Sequence, residues 1–157
     1  MIESASDNIR EHNELFDQAR GTYEQTRESV ESGEDAEGQI ENITQARDTL
    51  QEARMNLEEA RESLSGIREL EVEPEIHEYS NLLDEALGTQ ISAESEEIEF
   101  YDILEDDPAL EDRREEAQEV LTGVETSYSE AEDAYAAAQS FADENPELLA
   151  GNDPQQE

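Results

Sequence analysis

Apolar residues recur along this chain at seven-residue spacing in four long segments. In the first, Ile2, Ile9, Phe16, Tyr23 and Val30 fall seven apart, with Ala5, His12, Ala19 and Thr26 between them. In the second, Ile43, Leu50, Leu57 and Leu64 alternate with Ala46, Ala53, Ala60 and Ile67. The fourth carries Leu110, Ala117, Val124, Ala131 and Ala138 with Val120, Ala134 and Phe141. Steps of three and four place such residues on one helix face, the a/d seam of helices packed side by side. The third segment begins in the same way at Ile76, Tyr79 and Leu83 and then moves to Leu87, Ile91, Ile98 and Tyr101. Consecutive four-residue steps predict a stutter there, where the supercoil unwinds locally.

Breaks in the pattern mark the helix ends. Ser32-Gly33-Glu34-Asp35 interrupts the first seam, and Ser32 with Asp35 forms a variant capping box for the next helix. Pro74 and Pro108 stand at first-turn positions, where a missing N–H costs nothing. Asp107 is the expected N-cap of the last helix, and Glu111 and Asp112 suit its positive end. Asn145-Pro146 stops that helix. The segments therefore run near 4–31, 35–71, 74–106 and 108–144, in one domain over 1–145, followed by a flexible acidic tail over 146–157. Short connections force antiparallel neighbours. The expected fold is all-α, an up-down-up-down four-helix bundle with coiled-coil-like packing. Tetratricopeptide-like repeats fit less well, because their helices are shorter and no matching period recurs. A three-helix bundle with one helix left for a partner is the other arrangement the pattern allows.

Composition complicates this picture. Lys+Arg total 9 against Asp+Glu 46, a formal net charge of −37, and hydrophobic residues make up only 34%. Low hydrophobicity with high net charge is the composition of a disordered chain. The seams argue against disorder, as does the scarcity of proline, with four in all. All nine cations are arginine, and lysine is absent. Lysine exposes a long alkyl stem, whereas a guanidinium holds several carboxylates at once. In molar salt the Debye length falls to about 3 Å, so repulsion among the carboxylates is screened. A carboxylate-rich, lysine-free helical chain of this kind resembles proteins of halophilic archaea. The resemblance covers the whole chain as a matter of composition and implies adaptation to high salt. It names no activity.

Candidate chemistry is sparse. Cysteine is absent, which excludes thiol chemistry, and no apolar run has membrane-spanning length. Arg47, Arg54, Arg61 and Arg68 recur every seven residues beside the second seam. They form an expected inter-helix charge ladder, pairing with carboxylates on adjacent helices. The first 68 residues hold 7 arginines and 17 acids and the remainder 2 and 29, so the first hairpin carries counter-charge for the second. His12 sits in the first seam, at a level where hairpin arithmetic places Met55. No Cys-x-x-Cys-His attachment accompanies them, and a histidine bonded to a core neighbour is the simpler expectation. Residues three before His12 and His77 are Ile9 and Pro74, so the Glu-x-x-His of di-iron bundles is missing. The run Asp102, Glu105, Asp106 and Asp107 lacks the alternation and the glycine of a calcium loop. It reads as a solvated turn that gathers hydrated cations without specificity. Gly88 and Gly123 interrupt the third and fourth helices near mid-bundle, level with His12, Gln90, Ser127 and Tyr128. Together with Met55 these outline a polar layer, the candidate place for a small ligand. Tyr128 and Tyr135 with Leu121 mark one edge as a possible partner stripe.

These residues imply a non-enzymatic structural or protein-interaction module adapted to high salt. The alternative is an anchored or sensor-type surface bundle binding a small ligand at the polar layer, as an excised ectodomain would. Neither reading needs a cofactor or a metal. A protein is the expected partner, since the charge disfavours nucleic acid and anionic membranes.

Overall fold

The structure, a computed structural model, describes residues 2–146 and 148, with all side chains in that span except those of Ile2, Glu3, Arg68 and Glu69. Most of the expected tail therefore lies outside the described residues. Four helices account for the architecture: α1 (Ile2–Glu31), α2 (Ile40–Ser65), α3 (Pro74–Asp106) and α4 (Arg114–Glu144). No strand occurs among the described residues, and none of these helices is long and apolar enough to cross a membrane.

Local chemistry sets the ends. Gly33 closes α1 with φ 102°, a left-handed conformation natural to glycine. Its N–H donates to the Val30 carbonyl, and that of Glu34 donates to Ser29, the paired bonds of a Schellman cap. Single turns of 3-10 helix, Glu37–Gln39 and Gly66–Glu69, flank α2, so the regular helix is shorter than 35–71. Pro74 opens α3 after an extended Glu73, as expected. The start of α4 differs from the expected 108. The Asp107 carboxylate accepts the backbone N–H groups of Glu111, Asp112 and Arg113 at 2.8–3.0 Å, winding 107–113 into a compact turn. Asp107 thus caps that turn rather than the helix. Leu110 takes φ 51° within it and still packs on the core.

Packing runs α1 on α2, α2 on α3 and α3 on α4. The α1–α4 side closes through side chains, Phe16 and Arg20 against Tyr128, with few close backbone approaches. The core consists of two apolar clusters. One joins Ala19, Ile43, Ala46, Leu50, Phe100, Tyr101, Ile103, Leu104 and Ala117. The other joins Ala5, Leu57, Ala60, Leu64, Ile67 and Leu87. Residue numbers rise in opposite directions on successive helices, so neighbours are antiparallel. All seven seam residues within α2 are buried, as is Ile67 in the 3-10 turn that follows it.

The seam of α3 needs correction. Ile76, Ser80, Leu83, Leu87, Gln90, Glu94, Glu97, Tyr101 and Leu104 follow alternating steps of four and three without interruption, and all are buried or half-buried. There is no stutter. The heptad is continuous, but polar residues hold four of its core positions, and the half-buried Ile91 and Ile98 lie beside it.

Candidate functional site

Between the two apolar clusters lies a layer of polar side chains from α1, α3 and α4. Glu94 is fully buried and Glu97 is 6% exposed, in a chain whose other acids lie mainly on the surface. A carboxylate removed from water needs donors to replace its hydration. His12 is buried on α1 and places Nε2 2.6 Å from Glu94 Oε1, while its Nδ1 faces Asn13 Oδ1 at 3.0 Å. The carboxylate oxygen accepts from Nε2–H, and the role of Nδ1 toward Asn13 depends on the tautomer of the ring. Gln90 donates from Nε2 to the same Glu94 oxygen at 2.8 Å. The second oxygen, Oε2, is buried and has no hydrogen-bond partner.

One turn along α3, Glu97 is more completely held. Tyr101 donates to Oε1 at 2.8 Å, and Tyr128 of α4 donates to Oε2 at 2.5 Å. Arg20 adds Nη2 at 3.2 Å to Oε2. Burial, together with the adjacent Glu97 charge, pushes both tyrosine hydroxyls far above their ordinary range. They remain donors at any pH the fold experiences. The Arg20 guanidinium lies 4.6 Å from the ring centroids of both Phe16 and Tyr128, and His12 stacks on Phe16 at 5.5 Å. His12, Phe16 and Arg20 follow i, i+4, i+8 spacing, so α1 presents them as one stripe.

A cleft of about 200 Å³ opens beside this layer between α1 and α4. Tyr23, Phe100, Tyr101 and Val124 give it apolar walls, with Arg20 and Glu97 among its polar lining. Leu121, 37% exposed, stands at its edge.

Of the residues the sequence singles out, His12, Gln90 and Tyr128 meet in the layer. Met55 does not. It is 52% exposed, because hairpin arithmetic fixes level but not face, and α2 turns Ala53 and Leu57 inward instead. The two glycines also stand apart from it. A Cβ at Gly88 would come within 3.3 Å of the Arg61 guanidinium, and one at Gly123 within 3.0 Å of Glu96 Oε2. Each glycine makes room for a charged side chain crossing from a neighbouring helix. Glu96 so placed accepts from Ser127 at 3.0 Å. Tyr135 is half-buried against the second cluster. Glu94, Glu97 and Arg20 were not anticipated, and Tyr101 was read only as a seam residue; the unbroken heptad of α3 is the signal for the two carboxylates.

Elsewhere, three arginines of α2 reach across to α3. Arg47 bonds Asp102 and Glu105, Arg54 donates to Ser95 Oγ at 3.0 Å, and Arg61 holds Asp84 through Nε at 2.8 Å. Arg68 has no described side chain. In the acidic turn, Arg47 engages Asp102 and Glu105, Arg113 engages Asp106, and backbone N–H groups engage Asp107. Among the described residues no group of three or more metal-ligating side chains is arranged to hold an ion. No protein-family model matches this chain, and neither a curated protein nor a solved structure matches it.

Proposed function

We propose that this chain is a non-enzymatic structural or protein-interaction module adapted to high salt, in which the polar layer fixes helix register. The observation that carries the reading is that two carboxylates of α3 are buried in the core and each is held by side chains from other helices. His12 and Gln90 bond Glu94, and Tyr101, Tyr128 and Arg20 bond Glu97, so bonds from α1 and α4 converge on two carboxylates of α3. Such a network penalises any sliding or rotation that would strand a buried carboxylate, a use well attested for polar core positions. Neither carboxylate stands beside an activated nucleophile. The composition supports the salt-adapted part, with 46 acids countered only by nine arginines to leave a net charge of −37.

Single and paired substitutions test the layer. His12→Leu removes the Nε2 hydrogen bond from the buried Glu94 carboxylate and should destabilise the bundle by about 1–3 kcal/mol. His12→Leu with Glu94→Leu should recover most of that stability while giving a mixture of registers or oligomers, seen as doubled amide resonances or mixed sedimentation. A double variant with one sharp species and wild-type stability would show the layer dispensable to structure and overturn the proposal. A second reading, a small ligand held at the layer, draws on the α1–α4 cleft that reaches Arg20 and Glu97. It requires saturable binding that Arg20→Gln weakens.

A further inference from the structure

We propose that a second cavity, at the end of the bundle where α1 begins, α2 ends and α3 begins, binds a small uncharged molecule. The molecule is mostly hydrocarbon and carries one hydroxyl or carbonyl oxygen. The cavity measures about 200 Å³ and shares no residue with the polar layer. Ala5, Ile9, Leu64, Ile76 and Leu83 give it aliphatic walls. Among the described residues that line it none is charged, although 35% of the chain is. An ion entering would lose its hydration and gain no counter-charge, so the site selects against charged ligands.

The oxygen requirement comes from Ser80. This residue lines the cavity and is 2% exposed, and its hydroxyl is buried with no hydrogen-bond partner. A helical serine ordinarily satisfies itself by donating to the carbonyl four residues back, as Ser92 and Ser95 do on this same helix. Ser80 makes no such bond. A buried hydroxyl left unpaired favours any occupant able to bond it. A lone water is a poor occupant of most of the space, because the walls beyond the residues Ser6, Tyr79 and Ser80 are aliphatic and a buried water needs two to four polar partners. A cavity on the order of 150 Å³ with apolar walls holds benzene. This one therefore suits a molecule of the size of a substituted benzene or a six- to eight-carbon alcohol. The site is independent of the structural reading above.

Three probes of one shape test it on the whole chain in molar potassium chloride: benzyl alcohol, toluene and benzoate, followed by amide chemical shifts. Benzyl alcohol should shift the signals around Ser80 and Tyr79 saturably, and at least as tightly as toluene despite its greater solubility in water. Benzoate should produce no saturable shift. Ser80→Ala should weaken benzyl alcohol about fivefold to tenfold, the worth of one hydrogen bond, and leave toluene unchanged. Ala5→Leu, which fills the space, should abolish binding of both. Non-saturable or dispersed shifts overturn the proposal, as does toluene binding that exceeds benzyl alcohol with no effect of Ser80→Ala. Where either variant fails to fold, the ranking of the three probes on the unaltered chain still decides.

Discussion

A methyl group added at Gly21 of α1 would meet nothing within 4 Å, whereas one at Gly88 of α3 would press on the Arg61 guanidinium at 3.3 Å. Both glycines carry the same helix-propensity cost, about 1 kcal/mol relative to alanine. Gly21→Ala should therefore raise stability by about 0.5–1 kcal/mol, and Gly88→Ala should gain less or nothing, because Arg61 must shift from Asp84. Urea or thermal melting of both variants checks the pair, and equal gains would show that Arg61 yields freely. Asp107 offers a test by pH. Backbone N–H donors, that of Arg113 foremost, hold its carboxyl below the ordinary aspartate value of 3.8. A group whose folded value is depressed contributes stability that is present above the unfolded value and is lost as pH falls through the folded one. The stability difference between wild type and Asp107→Asn should be largest near neutrality and shrink as pH falls through and below 3.8. A difference that does not change with pH would mean that the charge of Asp107 has no part in holding the turn.

Between elements, the contact of α2 with α3 depends on arginines that reach over the seam. Arg61 grips Asp84 through two nitrogens, at 2.8 and 3.3 Å, while Arg54 is spent on a serine hydroxyl and a long 3.7 Å approach to Glu58 within its own helix. Arg61→Gln should thus destabilise more than Arg54→Gln, by about 1 kcal/mol against less than half of that, since exposed and half-exposed pairs are worth little singly. Equal and negligible losses in melting experiments would reduce the ladder to decoration. The seams of α1, α2 and α4 were legible because most of their core positions are apolar or alanine, with His12 and Thr26 the buried polar residues of the α1 seam. The seam of α3 was misread for a physical reason. A reading based on hydropathy treats Gln90, Glu94 and Glu97 as surface, follows Ile91 and Ile98 instead, and so finds a stutter. Heptad continuity through Leu87 and Tyr101 held the correct register. His12 was legible because it interrupts a largely apolar seam, and its partner Glu94 was hidden among 46 acids. Hairpin arithmetic gave Met55 the right level and the wrong face, since each residue turns the helix by about 100°. The turn at 107–113 was missed because Pro108 is an equally good first-turn residue, and only the Asp107 carboxylate delays the helix.

For the molecule as a whole, the balance is between a thin core and a dense surface charge. Of the 22 buried apolar residues described, 11 are alanine, and each buries far less than a leucine would. Full burial of a leucine is worth roughly 1.5–3 kcal/mol, so the alanine-rich seams forgo much of the usual driving force. Against this stand 46 acids, most of them on the four narrow helices, and nine arginines. Arg47 and Arg113 are each shared among several carboxylates and Arg61 is held by Asp84, which leaves most of the surface uncompensated. At 0.1 M salt the Debye length is about 10 Å, so neighbouring carboxylates repel one another across the surface. Each pair costs only a fraction of a kcal/mol, but many together rival a total stability of about 5–15 kcal/mol. Raising the salt screens that repulsion and, with an anion excluded from the surface, strengthens apolar burial. The chain should therefore be poorly folded in dilute buffer and should gain helix cooperatively as potassium chloride rises toward molar concentration. Circular dichroism and melting along a salt series give the measurement. Full helicity with unchanged melting from dilute buffer to molar salt would mean that the two apolar clusters and the polar layer outweigh the surface charge unaided.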